Sequence, residues 1–462
     1  MAIQTLNPAT GETEKTFTAH DEAEVERRLA QAHAAHDVLR ATTFDQRAQW
    51  ARATADLLEA DADELARIVT TEMGKPLAQA RAEITKSANA LRFYADNAED
   101  FLADEVLDDP SAVNASRAYA RYRPLGLVLA VMPWNFPVWQ VIRFAAPALM
   151  AGNTGVLKHA SNVPQTALYL DELFERGGFP EGVFRTLLIG SDQVDAVIRD
   201  VRVKAVTLTG SEVAGQAVAA TAGEEIKKTV LELGGSDPFI VMPSADLDAA
   251  VETAVDARMM NNGQSCIAAK RFIVHAEVYD EFAERFTTKV RELVVGDPMD
   301  EGTDVGPLSS EGGLDDLREL VDDAVAAGPT VLVGGPGAVG DVPQQGFYYP
   351  PTVIADLPEQ ARMVKEETFG PVAALYRVED QEEAVRIANA TSFGLSSSVW
   401  TTDEREQEFF VREVQAGGVF VNGMTVSNPA LPFGGIKRSG YGRELAAAGI
   451  REFCNLTTVW VA

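Results

Sequence analysis

The chain has 462 residues, 46% of them hydrophobic and 24% charged, which is too long for one core and points to two or three globular domains. Its 69 acidic residues against 40 basic ones give a net charge of −29, a surface that repels nucleic acid and anionic membranes. Recurring acidic pairs (Asp108-Asp109, Asp322-Asp323, Glu366-Glu367) and a preference for Arg over Lys suit a protein hydrated in concentrated salt, a halophilic cytoplasm being the expectation. Two cysteines without framework spacing fit a reducing compartment. The start, Met-Ala-Ile-Gln-Thr-Leu-Asn-Pro, lacks a basic and apolar leader, and no apolar run reaches membrane-spanning length.

Residues 1–20 read as short strands around the turn Asn-Pro-Ala-Thr-Gly-Glu. From Asp21, a plausible N-cap, to about Glu105 the period is helical, broken at Gly74-Lys75-Pro76. Stripes such as Ala80, Ile84, Ala88 and Leu91 are core faces with no chemistry assigned. Residues 116–123 alternate on both faces and suggest a hairpin that projects to a partner. An apolar strand ending at Val131 then leads into the rigid loop Pro133-Trp134-Asn135-Phe136-Pro137 and a helix over 139–150. From Gly155 onward strands and amphipathic helices alternate, near 164–177, 192–200 and 212–221 for the helices. That alternation implies an α/β fold with a parallel, doubly wound sheet whose ligands sit at the carboxyl ends of the strands. Lys158, Thr209-Gly210-Ser211 and Glu232 all fall at such ends. A second α/β pattern runs from about Gly235 to Thr425, and the tail Cys454–Val461 alternates like an edge strand.

The chemistry centres on Asn261-Asn262-Gly263-Gln264-Ser265-Cys266. Gly263 allows backbone to approach a ligand closely, the amides offer neutral hydrogen bonds, and a thiolate held there is a nucleophile. A lone cysteine also serves as a small buried hydrophobe, so context alone leaves both readings open. Glu232, ending an apolar strand, is either a general base with a raised pKa or a carboxylate tied to strand-end amides. Asn135 either donates to an oxyanion beside the Cys266 N–H or caps its loop. The Gly210-Ser-Glu-Val-Ala-Gly215 turn opens a helix and can hold a phosphate, a weak signal alone. The five histidines (His20, His33, His36, His159, His275) have no ligand spacing, so no metal is expected. From these residues alone, a cofactor-free cysteine esterase or other hydrolase stays open beside a redox enzyme.

Taken together, Met-Pro-Trp-Asn-Phe-Pro, Thr-Gly-Ser-Glu-Val-Ala-Gly, Leu-Glu-Leu-Gly-Gly-Ser-Asp-Pro, Gly-Gln-Ser-Cys, Glu-Glu-Thr-Phe-Gly-Pro-Val and Pro-Phe-Gly-Gly-Ile-Lys-Arg-Ser-Gly resemble the aldehyde dehydrogenase superfamily in order along the chain. Within it, Leu-Lys-His-Ala and the tail Arg-Glu-Phe-Cys-Asn resemble the bacterial succinate-semialdehyde dehydrogenases. The resemblance implies a Rossmann-like cofactor domain (1–115 and 136–234), a second α/β catalytic domain (235–430) and a small β oligomerisation arm (116–135 and 445–462). It implies oxidation of a small aldehyde, in a cytoplasmic homodimer or homotetramer, with NAD or NADP as cofactor; 2-oxoglutarate semialdehyde or broad aliphatic aldehydes are the alternatives to succinate semialdehyde. By the same resemblance Cys266 attacks, Asn135 holds the oxyanion and Glu232 activates water. Pro133, Trp134, Lys158, Ser161, Thr209, Gly210, Ser211, Gly215, Leu233, Glu367 and Phe369 would contact the cofactor, and Arg143 and Ser427 the substrate carboxylate.

Two positions depart from the pattern. Ser161 stands where NAD-preferring members carry a Glu that repels a 2′-phosphate, which points towards NADP. Met260 stands where some members place a second substrate arginine, leaving Arg143 alone, roughly 12 Å at most from Asn135 by helical rise. Ala268 replaces the second thiol of some relatives, so a local disulfide switch is not expected.

Overall fold

The computed structural model describes residues 3–462 and contains two large parallel-rich sheets, a three-stranded one and a two-stranded N-terminal hairpin. Four helices, Glu22–Leu39, Phe44–Ala60, Ala62–Met73 and Leu77–Phe101, follow an N-terminal hairpin. Asp21 caps the first, its carboxylate accepting from Glu24 N at 2.8 Å, as the sequence leads one to expect. Gly74, in the left-handed region, ends the third, and Pro76 starts the fourth.

The first large sheet orders Lys228–Glu232, Val203–Thr209, Leu127–Met132, Thr154–His159 and Phe184–Thr186, all parallel. Chain order reverses at Leu127–Met132, whose two neighbours both follow it in the sequence, Thr154–His159 on one side and Val203–Thr209 on the other. That reversal opens the crevice at the carboxyl ends of the strands. Gly440–Tyr441 adds an antiparallel edge, with Gly440 opposite Glu232. The strands are continuous apolar runs because helices cover both faces.

The second sheet orders Thr330–Val333, Thr352–Ala355, Val372–Val378, Ala269–His275, Asp237–Val241, Ser398–Trp400 and Phe420–Val421, with only the first strand antiparallel. Its core holds Phe239, Phe272, Phe282 and Phe286, fully buried. The strands at 352–355 and 398–400 are too short to stand out from the sequence.

The third sheet departs from expectation. Residues 117–124 form one continuous strand, not a hairpin, and pair along their whole length with Cys454–Val461. Tyr119 and Ala120 also pair with the short strand Glu105–Val106. The alternation on both faces reflects a strand flanked on two edges. The apolar run Leu127–Met132, grouped by sequence with the arm, belongs to the first sheet, where it is central. The break is at Pro124-Leu125-Gly126, where Gly126 adopts a positive φ and Pro124 ends the ladder.

Candidate active site

Cys266 precedes the strand Ala269–His275 of the second sheet and lines a cavity with Thr209 from the end of the first, and the loop before it is unusually constrained. Asn261, Asn262 and Gly263 all lie in the left-handed region, at φ 57°, 58° and 72°. Asn tolerates this conformation better than most residues, and here its amides secure it. Asn262 Nδ2 donates to Gly74 O and Pro307 O, both at 2.8 Å, while its Oδ1 accepts from Gly306 N at 2.7 Å. Asn261 Nδ2 donates to Asn135 O at 2.8 Å and Gln264 O at 2.9 Å. Fully buried Arg258 donates to Thr368 O at 3.1 Å and also to Gly370 O. The amides thus hold the loop and do not face a ligand. Gly263 likewise makes its close approach to the backbone of Gly370 and Pro371, not to a ligand as the sequence reading had it.

The Cys266 thiol lines two cavities at once. One, of about 230 Å³, opens at the strand ends and is lined by Pro133, Trp134, Asn135, Thr209, Gly210, Ser211, Leu233, Glu367 and Phe369 as well. Trp134 and Phe369 meet edge to face there, ring centroids 5.8 Å apart. The other, of about 320 Å³, lies between the helices Leu77–Phe101 and Trp139–Ala151, with Arg143, Ser427 and Met260 in its wall. Burial pushes the Cys266 thiol up to about 12, opposed by the nearby charges of Lys270 and Arg143. Burial thus favours the neutral thiol, and nearby positive charge favours the thiolate. Lys270 Nζ anchors the adjoining backbone, donating to Ser265 O and Cys266 O at 2.8 Å each and pairing with Glu367 at 3.1 Å.

Asn135 is 4% exposed and held at both ends of its amide. Nδ2 donates to Gln264 O at 3.1 Å, and Oδ1 accepts from Gln140 Nε2 at 3.0 Å. One Nδ2 hydrogen remains for a ligand oxygen in the cavity shared with Cys266.

Glu232 stands apart from this group. Leu233 and Gly234 line the first cavity, but the Glu232 side chain lines neither. Its carboxylate oxygens are buried without a hydrogen-bond partner, and a Cβ on Gly434 would come within 2.7 Å of Oε1. Burial raises its pKa well above the carboxylate range, Glu444 adds to the rise, and Arg143 and Arg443 oppose it. The raised pKa of the first sequence alternative is present, whereas the second is not: no strand-end amide binds this carboxylate.

The cofactor candidates divide in the same way. Thr209, Gly210, Ser211, Leu233, Glu367 and Phe369 meet in the crevice, whereas Lys158, Ser161 and Gly215 do not line the cavity beside Cys266. Lys158 is buried at the end of Thr154–His159, and desolvation alone lowers its pKa, no carboxylate facing it among the described residues. Ser161 follows on the loop after that strand, its carbonyl accepting from Gln4 N at 3.1 Å. Ser211 caps the helix Glu212–Glu224, accepting from Ala214 N at 3.3 Å. Gly215 packs closely, since a Cβ there would lie 2.7 Å from Leu233 Cδ2. A dinucleotide fits this donor set, because a helix N-terminus and an aromatic pair flank the crevice at the sheet's switch point and an unneutralised lysine lies near the end of a neighbouring strand.

Arg143 departs most from expectation. It lies in the wall of the second cavity, but its guanidinium is ion-paired with Glu444 and donates to Thr209 Oγ1 at 3.1 Å, over the Phe433 ring. Its charge is shared with a buried carboxylate, which weakens it as a clamp. Ser427 Oγ, in contrast, is buried with no partner and lines the same cavity. Glu444 went unnoticed in the sequence, since nothing local signals an acid that becomes neighbour to both Arg143 and Glu232.

The chain is similar to known proteins along nearly its whole length. The family model described as "Aldehyde dehydrogenase family" matches residues 1–459. A protein of Mycobacterium avium (strain 104) named succinate-semialdehyde dehydrogenase [NADP(+)] is 62% identical over 462 residues, covering 100% of this chain and 97% of its own. Its Mycobacterium tuberculosis (strain H37Rv) counterpart, named succinate-semialdehyde dehydrogenase [NADP(+)] 1, is 61% identical with full coverage of both chains. Among solved structures, succinic semialdehyde dehydrogenase from Streptococcus pyogenes in complex with NADP+ aligns with a TM-score of 0.95 at 36% identity, covering 100% of both chains. That of succinate-semialdehyde dehydrogenase from Burkholderia pseudomallei aligns with a TM-score of 0.95 at 37% identity, covering 100% of this chain and 95% of that one. The relatives are named as dehydrogenases, not as the cofactor-free hydrolases that a lone cysteine leaves open. A cysteine between two cavities, an amide poised beside it and a match along nearly the whole sequence lead to one conclusion: the chain belongs to the aldehyde dehydrogenase family.

Proposed function

We propose that this chain oxidises succinate semialdehyde to succinate with NADP+ as hydride acceptor. The observation that carries the reading is that Cys266 lines both cavities, so a dinucleotide in one and an aldehyde in the other would meet at its sulfur. NADP+ would be held by Lys158, Ser161, Ser211, Glu367 and Phe369, with Pro133, Trp134, Thr209, Gly210 and Leu233 forming its bed, and when bound it supplies only hydride acceptance. The neutral Ser161 beside an unpaired Lys158 leaves room and charge for a 2′-phosphate.

Cys266 Sγ attacks the aldehyde carbon once its proton has passed to water, forming a C–S bond while the carbonyl pair moves to oxygen. The fields of Lys270 and Arg143 favour the thiolate. Asn135 Nδ2 and the Cys266 backbone N–H hold the resulting oxyanion. Loss of hydride from that carbon leaves a thioester on Cys266. Glu232 then takes a proton from the water that cleaves it, which requires its side chain to rotate out of the pocket beside Gly434 and Glu444. The products are the acid, the reduced cofactor and the free thiol.

A panel of succinate semialdehyde, a longer oxo-acid semialdehyde and butanal, each with NAD+ and NADP+, tests this reading. We expect kcat/KM to favour NADP+ by at least ~10-fold and Ser161→Glu to reverse that preference. Strict NAD+ use by the wild type sinks the cofactor assignment. Equal rates with the three aldehydes sink the substrate assignment.

The same reading places the enzyme in a salt-rich cytoplasm as a homodimer or homotetramer. Support for assembly comes from the edge strand Cys454–Val461, whose Leu456 and Trp460 are 50% and 51% exposed. Light scattering in molar salt that gives the monomer mass of 49.7 kDa would rule the assembly out.

A further inference from the structure

The second cavity brings three cationic side chains to one wall, and two of them are already matched. Lys75 is fully buried and ion-paired with Glu83. Arg143 is paired with Glu444. Lys86 has no carboxylate within ion-pair distance among the described residues, since Glu83, the acid one turn before it, is held by Lys75 and by the N–H groups of Val138 and Trp139 at 2.8 and 2.9 Å. Its Nζ lies instead 4.1 Å from the centroid of the Trp139 ring, on the cavity wall.

The helix geometry explains why Lys86 is there. Gln79, Ala82, Glu83 and Lys86 recur at helical spacing along Leu77–Phe101, and all four line the cavity. The opposite stripe, Ala80, Ile84, Ala88 and Leu91, is the buried core face. A lysine stem is long enough to carry its ammonium out to water, yet this one is partly buried over an aromatic ring. Burial, and then the positive charges of Arg143 and Lys75, lower its pKa to about 8, the cost of a desolvated cation lacking a partner. An arriving anion relieves that cost. Ser427 Oγ, also buried and unpaired, offers a neutral donor in the same cavity.

We propose that Lys86 is the specificity-determining cation of this enzyme, pairing with the distal carboxylate of an ω-carboxy aldehyde, with Ser427 donating beside it. Arg143, already paired with Glu444, then shapes the wall and spans towards Thr209. The inference rests on the substrate reading above and assigns that reading's carboxylate to a different side chain.

The test compares kcat and KM for succinate semialdehyde and butanal at pH 7 in the wild type, Lys86→Met, Lys86→Gln and Lys86→Arg. We expect the wild type to favour the semialdehyde, and Lys86→Met and Lys86→Gln to cut that preference roughly 10–100-fold, mainly through KM. Lys86→Arg should retain most of it. Should the substitutions impair folding, inhibition of the wild type by succinate supplies the second measurement, with Ki expected to rise steeply above pH 8. If Lys86→Met affects both aldehydes alike, or succinate inhibition is flat across pH 7–9.5, the Lys86 assignment is overturned while the substrate reading stands. A wild type that does not discriminate between the two aldehydes overturns both.

Discussion

Glu232 and Cys266 both sit in environments that suppress their charged forms, and catalysis has to undo this in sequence. The Cys266 thiol, pushed up to about 12, needs a nearby positive charge before it can attack. Glu232, raised by burial and by Glu444, holds its proton beyond the ordinary carboxylate range and can act as base once its surroundings change. If its part comes after hydride transfer, Glu232→Gln should leave the first turnover nearly intact. Stopped-flow absorbance of the reduced cofactor is expected to show a burst of about one equivalent, followed by a steady state slowed roughly 10²- to 10⁴-fold. Loss of the burst together with the steady state would move Glu232 to the first half of the reaction. Lys86 gives a separate pH signature. The groups around it are Glu83 on its own helix, Lys75 just before that helix, Arg143 on the facing helix and Cys266 on the loop. A lysine lowered to about 8 is cationic below that pH and loses its charge above it, and Cys266 keeps its proton throughout this range. KM for succinate semialdehyde is therefore expected to rise about tenfold per pH unit above 8, with KM for butanal nearly level.

The loop Met260–Gly263 stores strain so that the thiol is placed at the meeting of two cavities. Three successive residues in the left-handed region, two of them not glycine, persist because Asn261, Asn262 and Arg258 fix the surrounding backbone. Gly263→Ala adds a methyl group against Gly370 O as well as an unfavourable φ. It is expected to destabilise the protein by on the order of 1–3 kcal/mol from backbone strain alone and to cut activity further by displacing Cys266. Thermal unfolding beside a single-turnover rate checks both; an unchanged melting temperature would show that the loop relaxes freely. At this scale the sequence was readable where periodicity or composition is local. The Asp21 cap, the alternating strands and helices, and the reactive stretch ending at Cys266 each announce themselves within a few residues. What eluded it depends on pairs distant in sequence. Arg143 looks like a free clamp until Glu444 closes on it, and Gly263 looks like a ligand contact until Gly370 is beside it. Lys86 was passed over because its helix shows an apolar stripe, and the adjoining stripe gains meaning only when Trp139 and Ser427 face it.

For the whole molecule, a charge of −29 sets a field that both proposed ligands must cross. Succinate semialdehyde and NADP+ carry negative charge and are repelled at low ionic strength, whereas butanal is not. Raising KCl from 0.05 to 2 M is therefore expected to increase kcat/KM for the semialdehyde several-fold more than for butanal. The same screening lessens self-repulsion of the folded state, so the melting temperature should climb over that range. A melting temperature independent of salt would remove the argument for a salt-adapted surface, though not for the reaction.

The pairing of Gly440 with Glu232, and of Cys454–Val461 with the strand at 117–124, carries a consequence for biogenesis. Both partners of those ladders are translated long before residues 440–461 emerge from the ribosome, so the nascent chain must wait with the edge of its first sheet unpaired and Arg143 lacking its counter-charge. The catalytic centre is thus a late product of synthesis, and a stalled or prematurely terminated polypeptide would expose an adhesive strand with no activity to show for it.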